Sequence, residues 1–200
     1  LLEAMQERQV TIGGETFPLP KPFLVLATQN PIESEGTYPL PEAQLDRFLL
    51  KVRVGYPSRG EEREVLERMS ISNEITVTRL ADPAQVLAAR STIESLHLDP
   101  RLADYIVDLV RATREPGAIG LGALAPMIAY GASPRASIAL AQTARAHAFL
   151  RGRDFVGPED VQALAPDVRR HRIVLTFDAE AEGRVAENVV RQVLAAVPVP

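Results

Sequence analysis

Two hundred residues with a formal net charge of −4, 46% apolar and 24% charged, describe a globular chain with material for one or two cores. Disordered, collagen-like and membrane-spanning classes are excluded, because the longest apolar runs, such as Phe23 to Ala27, are strand-sized and fall well short of the ~18 residues of a membrane helix. Without cysteine there is no disulfide framework, thiol nucleophile or Cys-based zinc site, and a chain with no Trp and 5% aromatics is a poor stacking platform for single-stranded nucleic acid.

The first residues, Leu1 to Arg8, read as the end of an amphipathic helix with Leu1, Leu2 and Met5 on one side. Gln9 to Ile12 and Glu15 to Leu19 then read as two short strands joined by a Gly13-Gly14 hairpin turn. Phe23 to Thr28 is continuously apolar, the pattern of a strand buried on both faces of a parallel sheet. Phe48 to Val54 reads as a second such strand, with a short helix from Glu42 to Asp46 before it.

After Gly55-Tyr56-Pro57-Ser58 the chain turns helical, so a boundary is placed near residue 57. Ser58 is a cap for Arg59 to Met69. Asp82-Pro83 opens a helix to about Thr92, Asp99-Pro100 one to about Thr113, and Ser133-Pro134 a long alanine-rich one to Leu150. Gly157-Pro158 starts a short helix, and Asp178 to Val197 supplies the last.

Three places could carry chemistry. Thr28-Gln29-Asn30-Pro31 follows a buried strand, where open α/β sheets bind ligands, although Asn-Pro alone reads as a turn. Arg47, in Leu45-Asp46-Arg47-Phe48, stands between a helix and a strand; its planar fork suits a phosphate, and its plain reading is a solvated arginine beside Asp46. Arg135 falls in the first turn after Ser133-Pro134. A cation there opposes the helix dipole by ~0.3–1 kcal/mol, yet combined with free N–H groups it makes an anion receptor. His97, His147 and His171 lie far apart and suggest no metal site, Glu33-Ser34-Glu35 reads as a solvated loop, and Arg169-Arg170-His171-Arg172 reads as a basic surface face.

Only Lys21 and Lys51 accompany the 20 arginines, and neither stands in a Gly-Lys-Ser/Thr context, so the chain holds no P-loop. It begins Leu1-Leu2-Glu3 without Met and reads as a piece of something longer.

The succession LLEAMQERQVTIGG, ATQNPIESEGTYPLPEAQLDRF, VGYPS, GASPRA and GRDFVGPEDV closely resembles the MoxR family of AAA+ ATPases over essentially the whole chain. The resemblance implies an α/β remnant of a P-loop NTPase core in residues 1–57, followed by an all-α lid in residues 58–200 and a predominantly helical fold. It implies that Gln9 to Leu19 is the hairpin before sensor 1, Asn30 sensor 1, Arg47 an arginine finger acting on a neighbouring subunit, and Arg135 sensor 2. The P-loop and the acidic strand that organises magnesium would precede Leu1, so ATP and Mg2+ are expected with the intact protein only. A ring, by analogy hexameric, is expected to remodel or activate a client complex in the cytoplasm together with a von Willebrand factor A domain protein. The hairpin has no Lys or Arg between Arg8 and Lys21, which disfavours nucleic acid. The alternative function is a nucleotide-independent helical interaction module.

Overall fold

Short-range chemistry accounts for the N-terminal elements of the computed structural model, which describes residues 2–29, 40–70 and 77–200. Helix α1 (Leu2–Gln6) leads into an antiparallel hairpin, β1 (Gln9–Ile12) and β2 (Glu15–Pro18), with Gln9 opposite Pro18 and Ile12 opposite Glu15. Gly13 and Gly14 both take positive φ, 62° and 88°, as the tightest hairpin turn requires. The Glu3 carboxylate accepts from the Thr11 hydroxyl at 2.5 Å and the Thr11 amide at 3.2 Å, tying hairpin to helix.

The two expected buried strands do not form. Residues 23–28 and 50–54 have no regular structure, residues 48 and 49 form a bend, and Leu24, Leu26 and Val54 are 75%, 86% and 93% exposed. A continuous apolar run supplies the faces of a parallel strand, but its N–H and C=O groups need neighbours. Among the described residues no strand lies alongside either segment.

Capping chemistry places the helices almost where local signals put them. After the short α2 (Glu42–Leu45), Ser58 and Glu61 form a reciprocal capping box at the start of α3 (Arg59–Met69), and Asp82 and Gln85 do the same for α4 (Pro83–Ser95). Asp99 caps α5 (Pro100–Arg111), Ser133 caps α6 (Pro134–Leu150), and α7 (Pro158–Arg169) begins after Gly157. The single terminal helix expected from Asp178 divides into α8 (Phe177–Ala181) and α9 (Ala186–Ala196), because the chain turns at Gly183 with φ 73°.

Helices α3 and α4 bury no side chain; the core belongs to α5, α6, α7 and α9. Ala136, Ala139, Ala144 and Ala148 present almost no surface, so α7 can pack closely on α6. Between α5 and α6 lie two 3-10 turns and β3 (Ile128–Tyr130), which pairs with β4 (Val174–Leu175), elements too short for a sequence pattern to announce. Buried Asp160 locks α6 to α7. Its carboxylate accepts from the Gly157 amide at 2.8 Å and from Arg153 at 2.5 Å, and meets His147 Nδ1 at 2.6 Å. Burial alone would raise its pKa, but these hydrogen bonds outweigh burial and hold it below the usual carboxylate value.

Candidate functional site

The site is built from the start of α6. Gly131 passes so close to the end of α5 that a Cβ there would lie 2.5 Å from the Thr113 carbonyl oxygen. Buried Thr113 donates its hydroxyl to the Val110 carbonyl at 2.7 Å and accepts the Ala132 amide at 2.9 Å. The residues leading into α6 are thereby seated on α5, and Ser133 accepts the Arg135 amide at 3.2 Å. Arg135 then projects from the first turn, its side chain 47% exposed, with Nη1 at 3.8 Å from Asp46.

Asp46 and Arg47 follow α2. Arg47 is half-buried: its Nε donates to the Ala43 carbonyl at 3.3 Å, and its Nη1 is buried without a hydrogen-bond partner. The solvated Arg47–Asp46 pair considered from sequence does not form. Asp46 is instead engaged by the Ser133 hydroxyl at 3.0 Å, by Arg172 Nε at 3.0 Å and by Arg135.

These groups line one cavity of about 250 Å³, with Gln6 and Gln142 on its walls. Three guanidinium groups, from Arg47, Arg135 and Arg172, face one carboxylate, so positive charge is in excess. The arrangement suits a phosphate, since an unpartnered buried donor is costly until an acceptor arrives and charged acceptors are the strongest. The volume is below the ~300–1,000 Å³ of a complete small-molecule pocket, which fits one end of a nucleotide rather than the whole. Among the described residues no group of three or more His, Asp or Glu side chains could hold a metal ion.

The basic run at residues 169–172 is not a surface face. Arg169, His171 and Arg172 are buried, and the run grips the segment that carries Arg47. Arg169 donates to the Leu109 carbonyl at 2.8 Å, near the C-terminal end of α5, where orphan carbonyls favour a cation. Burial lowers its pKa to about 10. Arg170 reaches the Lys51 carbonyl at 3.0 Å, while the Lys51 amide donates to the Asp167 carbonyl at 2.8 Å. His171 Nε2 lies 3.0 Å from the Phe48 carbonyl, so this nitrogen carries the proton and donates. Burial, reinforced by neighbouring Arg172 and Lys51, pushes His171 down to about 4, against the Phe48 hydrogen bond and Asp46. Sequence reasoning missed this clamp because charged residues are ordinarily solvated; a run of four basic residues directly after a capped helix was the available signal. Of the three residues singled out from sequence, Arg47 and Arg135 share the cavity, and Asn30 lies outside the described residues.

Residues 1–50 match the model of an ATPase family associated with various cellular activities (AAA), and residues 123–193 that of an AAA lid domain. The whole chain aligns at 50% identity with the chaperone MoxR1 of Mycobacterium tuberculosis, covering 53% of that protein. The chain belongs to the MoxR family of AAA+ ATPases. Other relatives are the uncharacterized protein YeaC of Bacillus subtilis, 45% identical with 60% of its length covered, and protein MoxR of Methylorubrum extorquens, 31% identical with 62% covered. The crystal structure of a candidate ATPase from Cytophaga hutchinsonii superposes on all of this MoxR-family chain with a TM-score of 0.95 at 48% identity, 61% of that chain being covered. The chain thus spans between half and two-thirds of its relatives' lengths. It combines part of an AAA+ core with an AAA lid, and no helix among its described residues is long and apolar enough to cross a membrane.

Proposed function

We propose that this chain carries two phosphate-contacting arginines of a MoxR-type ATP hydrolase, whose intact form couples ATP binding and hydrolysis to remodelling or activation of partner protein complexes. The observation that carries the reading is the shared cavity, lined by Arg47 with its unpartnered Nη1, by Asp46 and by Arg135. Phosphoryl transfer asks little covalent chemistry of a protein; it asks for cations held where charge develops. Arg47 would neutralise charge on the transferring group, and Arg135 would sense the same phosphate from the lid.

Because the two arginines share one cavity, they address one nucleotide. If Arg47 reaches the neighbouring subunit, so does Arg135, which leaves Asp46 when the phosphate arrives. The elements that cradle the triphosphate and hold Mg2+ would be supplied by sequence outside these 200 residues. Asn30 would orient the attacking water or contact the γ-phosphate. The reading includes a ring, hexameric by family likeness, a core–lid division near residue 57, a cytoplasmic setting, and a von Willebrand factor A domain protein as partner of the client-directed machine.

The test is hydrolysis by the intact assembled protein. Arg47→Ala should leave nucleotide affinity nearly unchanged and lower turnover roughly 10³-fold, as loss of an arginine finger does. Arg47→Ala or Arg135→Ala subunits, mixed with subunits lacking the P-loop lysine, should each recover hydrolysis. Asn30→Ala subunits should not, since both lesions then disable the nucleotide-bearing site. Wild-type turnover in the Arg47→Ala homomer would overturn the reading and favour the nucleotide-independent interaction module.

A further inference from the structure

We propose that Arg172 is the positioning residue for Arg47, and that through Asp46 it also sets the resting place of Arg135. The inference rests on the reading of Arg47 as a group that acts on a neighbouring subunit's phosphate.

Arg172 has a side chain only 3% exposed and spends most of its donors on one short stretch of chain. Its Nε donates to Asp46 Oδ1 at 3.0 Å. Its Nη2 donates to the main-chain carbonyls of Asp46 at 3.1 Å and Phe48 at 2.6 Å, and Nη1 to that of Leu49 at 3.2 Å and to that of Val168. All of these acceptors but Val168 lie within two residues of Arg47. Among the described residues, the guanidinium of Arg47 has a single restraint, the bond to the Ala43 carbonyl. The direction of Arg47 is therefore set by its flanking backbone, and that backbone is held by Arg172 rather than by a strand ladder, which residues 48–54 lack.

Only an arginine satisfies this set. Its planar fork offers five N–H donors in fixed directions, whereas a lysine offers three from one point and cannot span a carboxylate and four carbonyls. The mounting also explains how the lid reaches the site. Arg172 lies three residues beyond the end of α7, α7 packs on α6, and α6 begins with Ser133 and Arg135, which meet Arg172 at the same Asp46 carboxylate. A displacement of α7 against the core segment would thus move Arg47 and release Arg135 together.

The experiment uses the intact assembled protein bearing Arg172→Gln or Arg172→Lys, with Arg47→Ala in parallel. Misplacing a catalytic group by about an ångström costs roughly 10²-fold, so both Arg172 variants should lose turnover on that scale while KM for ATP stays unchanged, and lysine should not rescue. Mixed with subunits lacking the P-loop lysine, the Arg172 variants should recover hydrolysis as Arg47→Ala does, because an intact mounting from one subunit faces an intact phosphate site in the other. Should either Arg172 variant fail to assemble, Asp46→Asn, which keeps the side-chain shape at a 21% exposed position, replaces it in the mixture and should show the same recovery. Recovery by Arg47→Ala but not by the Arg172 or Asp46 variants would overturn the inference alone. Recovery by none would overturn the reading of Arg47 and this inference with it, and wild-type turnover in Arg172→Lys would overturn the positioning role.

Discussion

His171 makes acid stability a direct measure of how the clamp on residues 46–51 is built. Its ring is 9% exposed and held near pKa 4, against an ordinary value of 6.5, so it is neutral in the folded chain and protonated in the unfolded chain across that interval. The folded state binds fewer protons, and the associated stability is therefore complete above pH 6.5 and is lost as pH falls. At 1.36 kcal/mol for each pH unit of separation, the fall from 6.5 to about 4 amounts to about 3 kcal/mol. Carboxylates elsewhere in the chain also change charge on the way down, so the informative quantity is a difference. His171→Gln keeps a donor for the Phe48 carbonyl and removes the titration. Urea unfolding of both forms at pH values from 7.5 to 4 should show the variant gaining about 3 kcal/mol relative to wild type, with nearly all the gain below pH 6.5. Parallel pH profiles would refute the argument, because they would mean that His171 is protonated and solvated in the folded chain.

Two further substitutions test the platform beneath the site. Gly131→Ala places a Cβ 2.5 Å from the Thr113 carbonyl oxygen, a main-chain atom that cannot swing aside, and should cost about 1–3 kcal/mol by urea midpoint; an unchanged midpoint would show that α6 is not seated on α5 as described. Asp160→Asn removes the carboxylate shared by Arg153, His147 and the Gly157 amide. Because Arg153 is a quarter exposed, the loss should be about 2–4 kcal/mol, at or below the range for a fully buried pair, and a loss under 1 kcal/mol would sink the lock between α6 and α7.

The legible parts of the chain share one property: the groups that decide them are neighbours in sequence. A cap and its target amide lie two or three residues apart, so Ser58, Asp82, Asp99 and Ser133 mark helix starts with no knowledge of the fold. Gly13-Gly14 marks the hairpin for the same reason, since positive φ is a property of the residue itself. Arg47 and Arg135 could be singled out individually from their local settings and from the family resemblance. Their meeting at one cavity could not, because it depends on the packing of α6 against α7 and on Gly131 and Thr113 seating the α6 start.

Where sequence pattern misled, a partner remote in the chain decided the outcome. Phe23 to Thr28 and Phe48 to Val54 have strand composition, but a strand is a relation between segments, and these have no neighbour to pair with among the described residues. Arg169 to Arg172 has the composition of a solvated face, yet carbonyls of α5 and of residues 46–51 accept from it and most of it lies inside. Burial of a charged run is a collective result of packing, and the identity of Asp46 as the hub of Ser133, Arg135 and Arg172 exists only once residues 46, 133–135 and 172 are brought together in space.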